Sequence, residues 1–329
     1  MTEFAGRHKN FSTTKLLSKT QPNISNKPED KFASVLFLPD TGGRKGEGGL
    51  RTQGYFKASR QDKPLITLIT VVFNGEKFLE QTIQSVLQQT YDNVEYIIID
   101  GGSTDGTLDI IQKYEHALDY WVSEPDGGIS DAFNKGVICS TGDMIGIINA
   151  DDWLAEKQIE IGVLAFAQSS VDFIFGNLLF HDEKGKVKHK ILGDAGYAQS
   201  IASSMPNLCH PTVLVKRNAF KKVGLFDTRL AVAMDYEWLL RLHQSGGQGR
   251  YVKDITGHMR LAGVSDVSYI KALEEVRRIS IQYGEPVIKS YFLYIVRVFK
   301  GVTRRRLEGW LPEKLYHRAR GIVNRHYRS

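Results

Sequence analysis

Three stretches of this chain can fold in very few ways. Leu65–Val72 is a continuous apolar and β-branched run, and Val94–Ile99 and Met144–Ile148 are nearly as apolar, with Glu95 the one charge among them. A strand with one face in water alternates apolar and polar side chains, so an unbroken run has to be buried on both faces. Each run stops at a polar turn: Asn74-Gly75, Asp100-Gly101-Gly102 and Asn149-Ala150-Asp151-Asp152. Between them, Phe78, Ile83, Val86 and Leu87 recur at helical spacing, as do Leu108, Ile111 and Tyr114. Tyr120–Val122 reads as a short strand and Ile129–Val137 as a helix. This β-α-β-α order predicts a parallel sheet with helices on both faces. Ligands of such sheets gather at the carboxyl ends of the strands. The polar clusters fall there: Asn74, Asp100–Asp105, Glu124–Asp126 and Asn149–Asp152.

The flanking segments are less regular. Asp172–Phe180 and Val187–Leu192 read as a hairpin around His181–Lys186, and His210–Lys216 as a further strand. Arg217–Val223, Ala233–Gln244 and Ser268–Tyr283 read as helices. Residues 1–63 form a basic extension expected to be disordered to about residue 31, with one strand candidate at Ala33–Leu38. The glycines of Thr41–Gly54 lack the Gly-Lys-Ser/Thr ending of a phosphate loop, so a flexible linker is expected. Residues 285–329 form a basic amphipathic helical tail. The fold expected is α/β, a mainly parallel central sheet flanked by helices with a small antiparallel hairpin, over residues 64–284.

Charge narrows the ligands. Residues 1–63 carry 12 Lys/Arg against 6 Asp/Glu, and residues 297–329 carry 10 against 2, while the whole chain is only +6. The middle is therefore acidic. A nucleic-acid groove through it is excluded, because a phosphate backbone needs a basic stripe. A smaller phosphate-bearing ligand would need a divalent cation, Mn²⁺ or Mg²⁺, as mediator. Cys139 and Cys209 are the only cysteines, which fits a reducing compartment. No signal-peptide pattern opens the chain, and no apolar run approaches the roughly 18–20 residues of a membrane span. A cytoplasmic protein is expected. The tail mixes Phe299, Val302, Leu307, Trp310, Leu311, Leu315, Tyr316 and Ile322 with many arginines. That pattern suits a helix lying on the inner face of the cell membrane.

Adjacent carboxylates at a strand end, Asp151 and Asp152, make a hard-cation site or a helix cap. Asp100 with its glycines makes a ribose or base contact, or a plain strand-to-helix turn with Ser103 or Thr104 as cap. One feature joins these pieces. Ile66–Asn74, Thr82–Tyr91, Ile98-Ile-Asp-Gly-Gly-Ser-Thr-Asp-Gly-Thr107, Ser123-Glu-Pro-Asp-Gly-Gly-Ile129, Asp131-Ala-Phe-Asn-Lys-Gly136, Thr141-Gly-Asp143 and Asn149-Ala-Asp-Asp152 occur in order. The ordered set, from about Pro64 to Ser265, resembles the family 2 glycosyltransferases of the GT-A fold, of the bacterial surface-polysaccharide type.

The resemblance implies a donor half over about 64–152 and an acceptor half over about 153–284. Val72, Phe73, Asn74, Asp100, Ser103 and Asn149 would contact the nucleotide, and Asp126 and Lys135 the donor sugar or phosphates. Asp151 would be the metal carboxylate of the D-x-D motif. Asp235, in Met234-Asp-Tyr-Glu-Trp238, would be the general base, since an acceptor hydroxyl needs a carboxylate within hydrogen-bond reach. The bland reading of Asp235 is a helix N-cap. On the acceptor side, Trp153 reads as a sugar-stacking platform or a core residue, His210 as an acceptor or donor-phosphate contact or a structural histidine, and Glu237 as the local rival for the base; His258 is a minor candidate for a late metal ligand. Two positions depart from the family pattern. Asn149 stands first in D-x-D, and Gly101 stands where many relatives carry a second aspartate.

The function implied is inverting, metal-dependent transfer of a sugar from a nucleotide-sugar donor, a UDP-sugar first, to a glycan or lipid-linked acceptor in surface polysaccharide synthesis. The alternatives are a sugar-nucleotide nucleotidyltransferase and a non-catalytic nucleotide-sugar-binding protein.

Overall fold

The computed structural model describes residues 11–40, 42–261 and 269–310. The strands are β1 (Gly46–Gly48), β2 (Ile66–Val72), β3 (Val94–Asp100), β4 (Tyr120–Ser123), β5 (Met144–Asn149), β6 (Trp153–Leu154), β7 (Phe173–His181), β8 (Val187–Ile191), β9 (Leu214–Lys216) and β10 (Gly249–Arg260). The helices are α1 (Leu79–Leu87), α2 (Thr107–Tyr114), α3 (Ile129–Cys139), α4 (Gln158–Ala167), α5 (Tyr197–Ser200), α6 (Arg217–Val223), α7 (Met234–Gln244), α8 (Tyr269–Gln282) and α9 (Val287–Trp310).

The strands form one sheet in the order β1-β4-β3-β2-β5-β9-β7-β10-β6, with β8 beside β7. The four strands read from apolar runs, β2 to β5, are parallel to one another. Their register is level: Val72 lies opposite Asp100, Val71 opposite Asn149, and Asp100 opposite Ser123. The turns that follow these strands therefore open on one edge. Beyond β5 the sheet turns mixed. Antiparallel β9 bridges β5 to β7, and β7 then runs parallel to β10.

Both faces of β2, β3 and β5 are dry. Ile69, Ile97 and Ile147 pack with Phe133 and Val137 of α3 and Trp238 of α7. Leu68, Ile98 and Ile148 face the other way, with Ile83 and Val86 of α1 and Ile159 of α4. That double burial is the reason these strands carry no polar alternation.

The segment before the sheet is ordered from residue 11, against the expectation of disorder to about residue 31. Ser12 donates to the Val86 and Leu87 carbonyls, and the Lys31 and Val35 amides donate to Lys221 and Ile138. Ala33–Leu38 is not a strand. The glycine-rich stretch is no loose linker: β1 is an edge strand antiparallel to β4. Its glycines let the backbone lie flat on the Trp121 indole, where a Cβ at Gly46 or Gly48 would sit 2.8 or 2.6 Å from the ring. This arm is pinned by two buried ion pairs, Arg51–Glu95 at 2.6 Å and Lys57–Asp119 at 2.7 Å. Burial opposes the charge on Glu95, yet Arg51 and the Thr141 and Thr67 hydroxyls hold its carboxyl below the usual range. Around Lys57 and Asp119 burial dominates and moves both groups toward their neutral forms.

His210–Lys216 is also not one strand. A 3₁₀ turn at His210–Thr212 precedes β9, and Cys209 before it is left-handed, with φ of 45°. No helix among the described residues is long and apolar enough to cross a membrane. Leu311, Leu315, Tyr316 and Ile322 of the tail lie outside the described residues.

Candidate active site

A cleft of about 790 Å³ lies along the edge where the parallel strands end. Eight of the residues singled out from sequence line it: Val72, Phe73, Asn74, Asp126, Asn149, Asp151, His210 and Asp235. They come from five separate segments that only the sheet brings together.

On one side the chain leaves β2 through Asn74, held in a left-handed conformation with φ of 52°. Its amide donates to Ser103 Oγ at 2.8 Å, and its side-chain oxygen accepts the Thr104 amide at 2.9 Å. Ser103 in turn donates through its hydroxyl and its amide to Asp100, whose second oxygen also takes the Ser123 hydroxyl at 2.5 Å. Asp100 and Ser103 are buried and do not line the cleft. Both tie the β2 and β3 turns together, and Phe73, 66% exposed, is left projecting at the cleft. Direct nucleotide contact by Asp100 and Ser103 is thus not what this arrangement offers, because their polar atoms already serve each other.

Gly101 and Asp126 explain each other. A Cβ on Gly101 would lie 2.6 Å from Asp126 Oδ2, so the room left by the missing side chain is filled by Asp126. Burial raises the Asp126 carboxyl, while the Gly128 amide, donating at 2.8 Å, works the other way.

The turn after β5 packs on α1, with the Thr82 hydroxyl donating to its Ala150 and Asp152 carbonyls, and it concentrates unsatisfied oxygen. Asp152 is fully buried, and neither of its carboxylate oxygens has a hydrogen bond of ordinary geometry. The Asn149 side-chain oxygen is orphaned as well. Burial first, and the neighbouring Asp151 second, push the Asp152 carboxyl well above its usual range. Burial also raises Asp151, with Arg260 pulling it back. From sequence Asp152 reads as a cation ligand or helix cap beside Asp151, with the metal assigned to Asp151. Its doublet with Asp151 was visible, but its lack of partners is a tertiary fact. Among the described residues no three His, Cys, Asp or Glu groups form a complete metal cage. Asp152 keeps weaker contacts with the Arg260 backbone and the Asn149 side chain, and hard oxygen donors this poorly satisfied among the described residues fit a divalent cation completed by ligand phosphates, the usual habit of Mg²⁺ and Mn²⁺.

Asp235 lies in the first turn of α7, facing the cleft. It is not the N-cap. The N-cap position is Ala233, with no side-chain cap; the amides of Ala231, Val232 and Ala233 donate to the Glu275 carboxylate of α8 at 2.9–3.1 Å, so a distant residue fixes the turn that leads into α7. The Asp235 carboxylate accepts only the adjacent Tyr236 amide, at 2.7 Å, and its other oxygen is 3.7 Å from His210 Nδ1. His210 stacks on Phe133, with centroids 5.5 Å apart and planes 13° apart. Its Nε2 is buried without a partner. Burial lowers the His210 imidazole below its ordinary value, with Asp235 opposing.

Three expected site residues are placed elsewhere. Lys135 is 2.9 Å from Glu124, which also holds Arg44 at 2.8 Å, so its charge is engaged within the protein. Glu237 is buried, bonded to Arg241 at 3.0 Å and to the Tyr283 hydroxyl, and does not line the cleft. The helix turns it toward α6 and the end of α8, while Asp235 meets the cleft. Trp153 stacks on His258, 5.1 Å away and within 4° of parallel, and the Arg260 guanidinium lies 4.9 Å from its ring. Its stacking surface serves its neighbours. His258 Nδ1 shares a hydrogen bond with His181 Nε2 at 3.0 Å.

A largely parallel sheet whose strand ends open into an oxygen-rich cleft, extended by a mixed half carrying a further carboxylate, is the GT-A architecture of nucleotide-sugar transferases. The sequence model described as glycosyl transferase family 2 matches residues 67–224, and the chain carries a glycosyltransferase domain of that family. An uncharacterized glycosyltransferase of Rickettsia typhi is 30% identical over 182 residues, 53% of this chain and 57% of that protein. A PGL/p-HBAD biosynthesis glycosyltransferase of Mycobacterium bovis is 27% identical over 183 residues, 54% of this chain and 69% of that one. The match thus spans little more than half the length of the Rickettsia relative. Among solved structures, a mannosyltransferase of Pyrobaculum calidifontis in complex with GDP-Man and Mn²⁺ aligns with a TM-score of 0.56 at 16% identity, over 79% of this chain and 80% of that one. S. aureus TarS in complex with UDP gives 0.51 at 15%, over 69% and 68%. At these identities the structural likeness is one of fold.

Proposed function

We propose that this protein transfers a sugar from a nucleotide-sugar donor to an acceptor hydroxyl with inversion at the anomeric carbon. The observation that carries the reading is the meeting of two unlike carboxylate sites in one cleft: Asp151, beside the buried Asp152 and the Asn149 side chain, and Asp235 from the first turn of α7. The acceptor hydroxyl gives its proton to Asp235. Its oxygen bonds to the anomeric carbon as the bond from that carbon to the diphosphate breaks, and the electron pair leaves on the nucleoside diphosphate. No covalent sugar–enzyme bond is required. His210, kept neutral by burial, leaves Asp235 free to act as an unpaired base. A divalent cation held by Asp151, with Asn149 and Asp152 beside it, would supply charge stabilisation on the leaving diphosphate. Phe73 and Asn74 would border the nucleotide, with Asp126 beside them.

The neighbours in complex with UDP and with GDP-Man support a nucleotide-sugar donor. The acceptor is a glycan or lipid-linked hydroxyl on this reading, and the Mycobacterium relative named for PGL/p-HBAD biosynthesis supports a biosynthetic role. On this reading the protein works in the cytoplasm at the inner face of the cell membrane. Asp235→Asn is expected to keep donor binding and lose about 10²–10⁴-fold in kcat, measured by release of nucleoside diphosphate with purified enzyme. A variant turning over at the wild-type rate removes Asp235 as the base. Release of pyrophosphate from a nucleoside triphosphate would instead mark a nucleotidyltransferase.

A further inference from the structure

Helix α9 carries a row of large apolar side chains that no described residue covers. Ile288 is 87% exposed, Phe292 64%, Ile295 61% and Phe299 69%. Steps of four, three and four residues put them on one face of a helix with 3.6 residues per turn, about 17 Å from end to end. The other side of α9 is anchored. Ser290 is buried and shares a hydrogen bond with Ser280 of α8 at 2.9 Å. The Tyr269 hydroxyl donates to the Arg297 carbonyl at 3.2 Å, and the Arg277 guanidinium lies 4.3 Å from the Tyr291 ring. The row is therefore held outward by a docked helix. A continuous apolar surface of this kind marks a contact surface.

Charge selects the partner. Lys289 and Lys300 are exposed, and at 100° per residue both fall beside the apolar row, Lys289 also reaching Glu285 of the preceding turn at 3.0 Å. The helix as a whole has six Lys/Arg against one Glu. A second copy would bring like charges together, whereas an anionic bilayer offers acyl chains to the row and phosphates to the lysines. We infer that α9 lies in the headgroup layer of an anionic membrane, with Ile288, Phe292, Ile295 and Phe299 inserted and Lys289 and Lys300 at phosphate level. This gives a surface to the membrane placement proposed above and is independent of the chemistry in the cleft.

The test is flotation of the full chain with vesicles of phosphatidylcholine alone or of equal phosphatidylcholine and phosphatidylglycerol. The protein should float with the mixed vesicles and stay behind with the neutral ones. The triple variant Phe292→Ser, Ile295→Ser, Phe299→Ser should lose about ten-fold or more in binding with an unchanged far-UV spectrum. Lys289→Glu with Lys300→Glu should weaken binding and flatten its salt dependence. No flotation of the wild type, or wild-type flotation of the triple variant, overturns the inference. So does a wild-type dimer that the triple variant splits without any vesicle binding, which would give the face to a second copy. Vesicle binding by a chain unable to transfer sugar would leave this inference standing and remove the other.

Discussion

Asp152 holds the sharpest local tension in the molecule. Its carboxyl titrates higher in the folded chain than in the unfolded one. Its contribution to stability is therefore fully present below the ordinary aspartate pKa and is lost as pH rises through the raised folded value. At pH 8 in EDTA, Asp152→Asn is expected to raise the Tm by roughly 2–4 °C. With Mn²⁺ and a nucleoside diphosphate the order should reverse, because the wild-type carboxylate then has a partner. Scanning fluorimetry in the two buffers reads both, and a variant less stable than wild type in EDTA counts against the argument. His258 titrates in the opposite sense. Burial first, and the His181 charge second, lower its imidazole to about 4. Its stability is present above about pH 6.5, the unfolded value, and drains as pH falls toward that lowered figure. His258→Gln should flatten the fall of Tm across this window. Its lost stacking on Trp153 would shift all points alike, so the slope isolates the proton.

Among the elements, the N-terminal arm is the one whose role the chain order conceals. β1 covers the β4 edge of the sheet, which would otherwise present unpaired backbone groups. The arm also supplies both cations of the buried pairs. Lys57→Met leaves Asp119 buried without its partner while Asp119 still accepts the Tyr96 amide, and should cost about 3–5 kcal/mol in urea unfolding. Lys113→Ala, which breaks the exposed pair with Glu80, is the control and should leave the midpoint in place. If the two variants unfold alike, the arm is an appendage after all. α7 depends on another element in the same way, since the Glu275 carboxylate of α8 binds the amides of the turn that leads to Asp235.

At the scale of the whole molecule, the charge is partitioned. The acidic middle contains the cleft, and the basic ends lie in the arm and the tail. A dianionic ligand should enter such a cleft only with a cation. UDP or GDP with Mn²⁺ is expected to raise the Tm, in proportion to about 2.7 kcal/mol at a hundredfold excess over Kd. Either one alone should do little, and Asp151→Ala should abolish the effect. A full shift in EDTA would dispose of the metal.

The parallel half of the fold was legible because both faces of β2, β3 and β5 are buried, which forces a nearly continuous apolar spelling, with Glu95 the charged exception inside it, that survives without any neighbour. The strand-end turns with Asn74, Asp126, Asn149 and Asp151 were legible for the same reason, since a level register carries all of them to one edge. β10 was missed because its sequence, GRYVKDITGHMR, is half exposed and polar. Its strand character comes from pairing with β7 and β6. The arm was misread because glycines that allow close packing on Trp121 look, in one dimension, like glycines that allow motion. The sequence by itself determined which segments had to be buried and where the chain had to turn. Only the tertiary structure decided which polar groups were left without partners: Asp100, Lys135 and Glu237 found theirs inside the protein, and Asp152 did not. Some of those partners are near neighbours, as Ser103 is to Asp100 and Arg241 to Glu237, but Ser123, Glu124 and Tyr283 come from other elements, and no local spelling encodes which distant group will arrive.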